Sequence, residues 1–425
     1  MILFQTRFFT LMGRSYSLIL FLMLISAFSL AAFDWGVQLN QSAGAEGVGN
    51  EKDDFIKAYS GTIIPWFSTP PVSENNTWKL YLSAGATVQY INNSVFFIPE
   101  LLRTELTWHI GTIGELKFGR IPYADPLGFI AVGLFDGARY SLQSNLGVIS
   151  ASVMYTGLLY KKSADIAMTD EDEASYNKAF EIANFTDTYL APRRLIAALD
   201  WDNPYLAQGF RLRASLIGQF DFSGNDKLSP ESALYHSQYL AIKASIPINS
   251  FIFGLGGCLE LAEKSDEKEL SLVGEFEAGW RLPTPIKDIL TLTGRFSSGA
   301  KSGPNSSLSA FVPITTVYQG DALQAKFSGL SMIRLEYTAQ LHETFSFNIA
   351  SSYFILSDLK TYKGFPMEKK GNFLGNELSG QITWSVFSDL QFCLVGGVFL
   401  PSMGNSGSAN TPLWRMELNV LLAVF

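Results

Sequence analysis

The chain is poor in four things on which other architectures depend: cysteine, histidine, charge and long apolar runs. Its two cysteines, Cys258 and Cys393, fall in well-separated predicted strands. Intervening strands at about 4.8 Å spacing carry them beyond the roughly 7 Å Cα separation that a disulfide tolerates, so both are expected as free thiols. The only histidines, His109, His236 and His342, are too sparse for a metal cluster, and no nucleophile-elbow spacing surrounds any serine. We therefore expect no metal, no cofactor and no enzymatic activity. Charged residues make up 16% of the chain and sum to a net charge of -8, which excludes a nucleic-acid partner.

A single long apolar run occurs, Leu18 to Leu30, preceded by Arg7 and Arg14 and followed by Ala31 and Ala32. Its flanks fit a cleaved secretory signal over residues 1–32 better than an anchoring helix, which would need a basic stop-transfer flank. Residues 33–425 then form one domain. No later run is long enough for a membrane helix, yet 47% of the residues are hydrophobic and 14% aromatic. Backbone groups in hydrocarbon are satisfied only within helices or in a closed sheet, so a membrane protein of this composition has to be a barrel.

The alternation agrees. From Ser331 to Ile355, Ile333, Leu335, Tyr337, Ala339 and Leu341 share one phase of a period-two pattern, and Arg334, Glu336, Thr338 and Gln340 share the other. After His342–Thr344 the pattern restarts at Phe345. Thr77 to Ile91, Phe97 to Ile110 and Gly209 to Phe222 repeat it. Strands of roughly 10 residues cross a bilayer core when tilted, whereas those of a soluble sandwich run nearer 5 or 6. The full reading is all-β, an antiparallel up-and-down barrel of about 18 strands, with 16 as the lower count. Short connections (Gly111–Ile113, Ser144–Leu146, Asn249–Ser250, Ser388–Asp389) alternate with long ones (Lys161–Arg193, Ser223–His236, Ser297–Leu330, Ser357–Asn376, Pro401–Pro412), which places both termini in the periplasm. Phe425 falls out of phase with Trp414, Met416 and Leu418, and a bulge near Leu421 and Leu422 would reconcile them.

If the apolar phase faces lipid, the polar phase lines a lumen. Its charges include Arg103, Glu105, Lys117, Arg139, Arg211, Arg213, Glu275, Glu277, Arg295, Arg334, Glu336 and Glu377, the candidates for selectivity. The competing reading is that they pair and merely fill the lumen. Charge runs at Asp170–Glu173 and Glu263–Glu269 read as solvated outer loops. Ile121 to Phe135 is an outer connection with one charge, Asp125, and a loop so apolar needs cover. Either it folds into the barrel mouth as a constriction, with Tyr123 and with Asp125 near Arg103 or Arg139, or Ile121–Tyr123 and Val132–Phe135 lengthen the flanking strands around a tight turn at Pro126 and Gly128.

Three stretches resemble a known family. Gly114-Glu-Leu-Lys-Phe-Gly-Arg120 with Phe135-Asp-Gly-Ala-Arg-Tyr140 is similar to the Gly-Arg and Phe-Asp-Gly strands of alginate-export-type outer-membrane barrels, and Gly375-Asn-Glu-Leu378 to their Gly-x-Glu-Leu-Asp strand, with Ser379 at the final position. The resemblance implies a porin-like barrel with an arginine-lined lumen for an anionic polysaccharide. Here glutamates are interleaved with the arginines. The expected function is an outer-membrane channel, a porin or exporter, for small polar solutes or an anionic saccharide. Its expected partners are membrane lipid and, through the C-terminal strand, the barrel-assembly machinery. The alternative is a non-conducting surface protein acting through its outer loops.

Overall fold

The computed structural model describes residues 33–49, 56–70, 77–91, 94–207, 209–223, 234–264, 267–300, 306–365, 371–405 and 411–424. The predicted signal segment and Phe425 lie outside them.

Eighteen antiparallel strands pair in chain order, and β1 (Asp34–Val48) closes the sheet on β18 (Leu413–Val424) over twelve consecutive positions. Each predicted strand is present. The longest is β4 (Ser94–Ile110, 17 residues), and the shortest include β7 (Gly147–Tyr155, 9 residues), which stops five residues before its predicted end. Closure satisfies the backbone in place of water and leaves little sheet edge to lipid, a long seam taken up below included. The bulge expected at Leu421 and Leu422 is absent, because β18 pairs without a register shift with both β17 (Leu390–Leu400) and β1. Leu421 simply takes the inward phase, opposite Asn40 and Gln391.

The apolar phase points outward. Leu255 and Phe118 are 68% and 61% exposed, in a belt that also carries Leu216, Leu259, Ile333 and Ile349. Trp78, Trp108, Trp280 and Trp384 ring one end of the belt, and Tyr59, Tyr90, Phe97 and Phe296 ring the other. An apolar band with aromatic girdles is the surface a barrel presents to a bilayer. Both cysteines are free, Cys258 on β11 (Phe251–Lys264) and Cys393 on β17.

Among the outer connections, the fourth (156–193) carries three short helices, α1 (Lys161–Ala164), α2 (Asp170–Asn177) and α3 (Phe185–Tyr189). The acidic run at Asp170–Glu173 is the first turn of α2, where carboxylates suit the helix dipole, and Thr169 and Asp172 form its capping box. The 263–269 run lies mostly in strand ends rather than in a loop, with Glu263 and Lys268 3.2 Å apart.

Candidate functional site

The lumen is filled from one side. Strands β5 (Gly114–Ala124) and β6 (Val132–Ser144) run past the wall as a hairpin, so the strand-lengthening alternative for Ile121–Phe135 holds. The hairpin also rolls inward. Tyr123, Phe129, Ile130 and Phe135 are buried with Met154, Ile196, Ile217, Ala241 and Cys258 of the adjoining wall, and Ile121 is buried as well. Leu127 sits where a side chain on Gly256 would collide with it, which explains a glycine on β11. Tyr123 faces this wall: its hydroxyl donates to Asp200 at 2.9 Å, and the Arg139 guanidinium lies 5.8 Å from its ring centre. The opposite phase of the hairpin, Pro122, Ala124 and Val132, is the exposed one.

Asp125 pairs with neither Arg103 nor Arg139, because its own loop consumes it. Its two carboxylate oxygens accept the N–H groups of Leu127, Gly128, Ile130 and Ala131 at 2.8–3.0 Å. Burial pushes this carboxyl above the ordinary range, and the four N–H groups pull against that rise.

A second loop, within 298–329, completes the filling through its residues 308–327. Ile314 and Thr315 donate their N–H groups to the Ile130 carbonyl, and Phe129 stacks on Phe327 at 4.5 Å. Two wall carboxylates anchor this loop, and neither has a cation within 4 Å among the described residues. Glu260 of β11 accepts from Tyr235, Ser271 and the Val312 N–H at 2.8, 2.6 and 2.8 Å. Glu377 of β16 (Phe373–Ser385) accepts the N–H groups of Asp321, Ala322 and Leu323 at 2.6–3.1 Å. An unpaired buried carboxylate is costly, so each stands only because donors surround it: wall hydroxyls with one loop N–H at Glu260, and three loop N–H groups at Glu377. Glu377 is wholly buried and so is placed as an anchor, out of reach of a passing solute.

The other lumenal charges fall into three groups. Glu275 lies buried between Lys243 and Arg295, at 3.0 and 2.5 Å, and Arg295 covers Phe129 and Phe327, so this network props the loops. Arg103 with Glu105 (2.6 Å), Lys117 with Glu115 (3.4 Å) and Glu105 (3.8 Å), Arg334 with Glu336 (2.6 Å), and Arg211 with Asp202 (2.5 Å) are pairs that keep solvent contact. Arg139 pairs with Asp200 at 3.7 Å. Arg213 and Glu277 form the third group, with no opposite charge within 4 Å among the described residues.

The facing half of the wall is different. Asn40 and Ser42 of β1, Thr62 of β2 (Ile56–Ser68), Thr87 of β3 (Trp78–Ile91), Gln391 of β17 and Asn419 of β18 point inward and keep partial exposure. Among the described residues, no loop buries them. Among them lies Cys393, beside the Gln381 amide at 3.2 Å.

The motifs that carried the family resemblance prove to be hinge chemistry. Gly119 (φ +110°) and Gly137 sit where a side chain would strike the Thr104 and Val153 carbonyls. Arg120 grips Asp136 through two 2.8 Å bonds at the root of the inward hairpin. Gly375 (φ +145°) admits a register shift just before Glu377. Sequence reasoning missed Glu260, whose signal was a lone acid in the inward phase of an otherwise apolar strand. It also missed Arg194, fully buried between Asp172 of α2 (2.6 Å) and Asp221 (2.7 Å), which ties the fourth outer loop to the wall. Burial raises the Asp172 carboxyl, and Arg194 opposes the rise.

Neither family profiles nor curated sequences match this chain. Solved structures do. The chain is similar to OccK11 (OpdR) of Pseudomonas aeruginosa, at 12% identity and a TM-score of 0.58 over 92% of this chain and 96% of that one. It is equally similar to OccK2 (OpdF) of that organism in complex with glucuronate, at 12% identity and 0.58 over 92% and 98%. The outer membrane protein OpdK, also from P. aeruginosa, aligns at 12% identity and 0.57 over 92% and 98%. At this identity the likeness is one of barrel fold.

Proposed function

We propose that this protein is a solute channel of the bacterial outer membrane, exported by its N-terminal signal segment and inserted by the assembly machinery through its C-terminal strand. The one-sided filling of the lumen carries the reading. The inward hairpin and the 298–329 loop occupy the side from β6 to β14 (Leu330–His342), leaving a path between Pro122, Ala124 and Val132 and the amide and hydroxyl wall of β17, β18 and β1–β3. A barrel meant only as an anchor has no reason to keep one wall polar and uncovered.

The cargo is a small polar or anionic solute, with an anionic saccharide at the larger end of the range that the alginate-export resemblance suggests. Arg103, Lys117, Arg213 and Arg334 supply positive charge to the path, and the amide and hydroxyl groups suit sugar hydroxyls. Crystals of two barrels of like fold hold carboxylates, glucuronate in OccK2 and vanillate in OpdK, which supports the same direction. Tyr123 and Asp125 would act from behind, by holding the hairpin that narrows the path. Planar-bilayer recording tests the proposal: stable open channels with reversal potentials favouring anions are expected. Folded barrels that stay silent would overturn it in favour of a surface protein.

A further inference from the structure

The barrel wall has a long seam between β4 and the inward hairpin that no backbone ladder closes. Strand β4 is 17 residues long, yet β5 pairs with it only from Thr104 to Ile110, because the hairpin turns inward at Arg120. On the other flank β6 pairs with β7 no higher than Asp136 with Tyr155. Residues 94–103 of β4 therefore present an edge, and Phe97 and Leu101 on it are 60% and 49% exposed on the lipid side. Unsatisfied backbone groups are not tolerated at that depth.

Side chains seal the edge instead. Tyr189 of α3 donates to the Pro99 carbonyl at 2.5 Å, and Arg120 donates to the carbonyls of Leu101 and, at 3.1 Å, Leu158. In an antiparallel strand the N–H and C=O of one residue point the same way, so the N–H facing the gap at position 99 is one that proline lacks. Around these polar contacts, which include Glu100 accepting from Ser163 at 2.8 Å, the seal is aromatic. Phe96, Ile98 and Tyr160 pack with Tyr189 on the lumenal side, the Tyr160 and Tyr189 rings 4.7 Å apart. Phe185 stacks on Tyr189 at 4.5 Å and is itself 42% exposed, as Leu158 is at 60%.

We propose that this seam is a cleft for one alkyl chain, taken from an amphiphile that enters through the pore and leaves its anionic head beside Arg103. The side-chain seal can part without breaking a strand ladder. Arg103 lies on the same strand facing the lumen, its guanidinium 5.0 Å from the Tyr81 ring centre and its side chain 36% accessible. The chain would replace the Phe185–Tyr189 contact on the Phe97–Leu101 face. The route of entry and the placement of the head both rest on the pore reading; the cleft itself does not.

Alkanesulfonates from one to ten carbons, added to channels in planar bilayers, test the cleft. Blockade lifetimes should lengthen with chain length, by up to about fourfold per methylene if each is fully buried. Leu101→Cys with Leu158→Cys, joined by a short bis-maleimide in a Cys258→Ser, Cys393→Ser background, should abolish that dependence and leave potassium chloride conductance and methanesulfonate blockade unchanged. Lifetimes independent of chain length, as a resident bilayer lipid in the cleft would give, overturn the proposal, as does a dependence that survives the cross-link. If the barrel does not conduct, labelling of Leu158→Cys in liposomes decides: decanesulfonate should slow it at least tenfold relative to methanesulfonate, and equal rates would overturn the cleft.

Discussion

Two halves of one lumen, built from strands of similar length and the same alternation, have opposite interiors. Behind the inward hairpin, β7–β11 present Met154, Ile196, Ile217, Tyr239 and Cys258, all buried. Across the lumen, β17, β18 and β1–β3 present asparagine, glutamine, serine and threonine that keep solvent. The inward phase of a strand thus does not specify polarity by itself. It takes whatever meets it: apolar side chains where a loop folds onto the wall, polar ones where water stays. Charges follow the same division. On the filled side they are joined in buried networks, such as Glu275 with Lys243 and Arg295, or hold loop N–H groups, as Glu260 does. The ion pairs nearer the open side keep partial exposure, as Arg415 and Glu417 do at 26% and 29%.

The harshest way to break this contrast is to empty the filled half. Deleting Tyr123–Ala131 should raise single-channel conductance on the order of twofold, since pore width sets permeation. It should also lower the thermal midpoint, because the wall residues behind the hairpin lose their cover. Unchanged conductance would place the path elsewhere.

A milder cut removes an anchor. Glu377→Ala leaves three loop N–H groups without an acceptor, at about 1–3 kcal/mol each if they stay buried. The 298–329 loop should loosen, seen as rapid current flicker and faster amide exchange at Asp321–Leu323. A quiet channel with unaltered exchange would mean that packing alone holds the loop.

Much of this was legible in advance, and the reason is local. Alternation fixes a strand from its own residues, so all eighteen strands and the pairing order could be read from the chain. What escaped is set by distant partners. Glu260 acts through Val312, 52 residues away, and the seal on β4 draws on Tyr189, 90 residues from Pro99 in another loop. Asp125 looked like a partner for lumenal arginines because one charge in an apolar loop invites a counter-ion. Four N–H groups of its own turn met that need first. Arg211 and Arg213 look equivalent in sequence, yet only Arg211 finds a carboxylate, Asp202.

That difference gives the finest prediction. Arg213→Gln should lower the anion preference, read from reversal potentials in a salt gradient, whereas removing the exposed Arg211–Asp202 pair as a unit, with Arg211→Gln and Asp202→Asn together, should change it little, because that pair carries no net charge. Equal shifts from the two variants would show that Arg211 contributes to selectivity despite its pairing.

The chain carries its own probe for each half, since both cysteines are free and they lie on opposite sides of the division. A small charged methanethiosulfonate reagent applied to the conducting wild-type protein should modify half-exposed Cys393, on the open wall, and reduce the current, and Cys393→Ser should remove the effect. Cys258, buried behind the hairpin, should stay unmodified while the barrel is folded. Labelling of Cys258 before Cys393, or modification of Cys393 that leaves the current untouched, would contradict a path along the amide and hydroxyl wall.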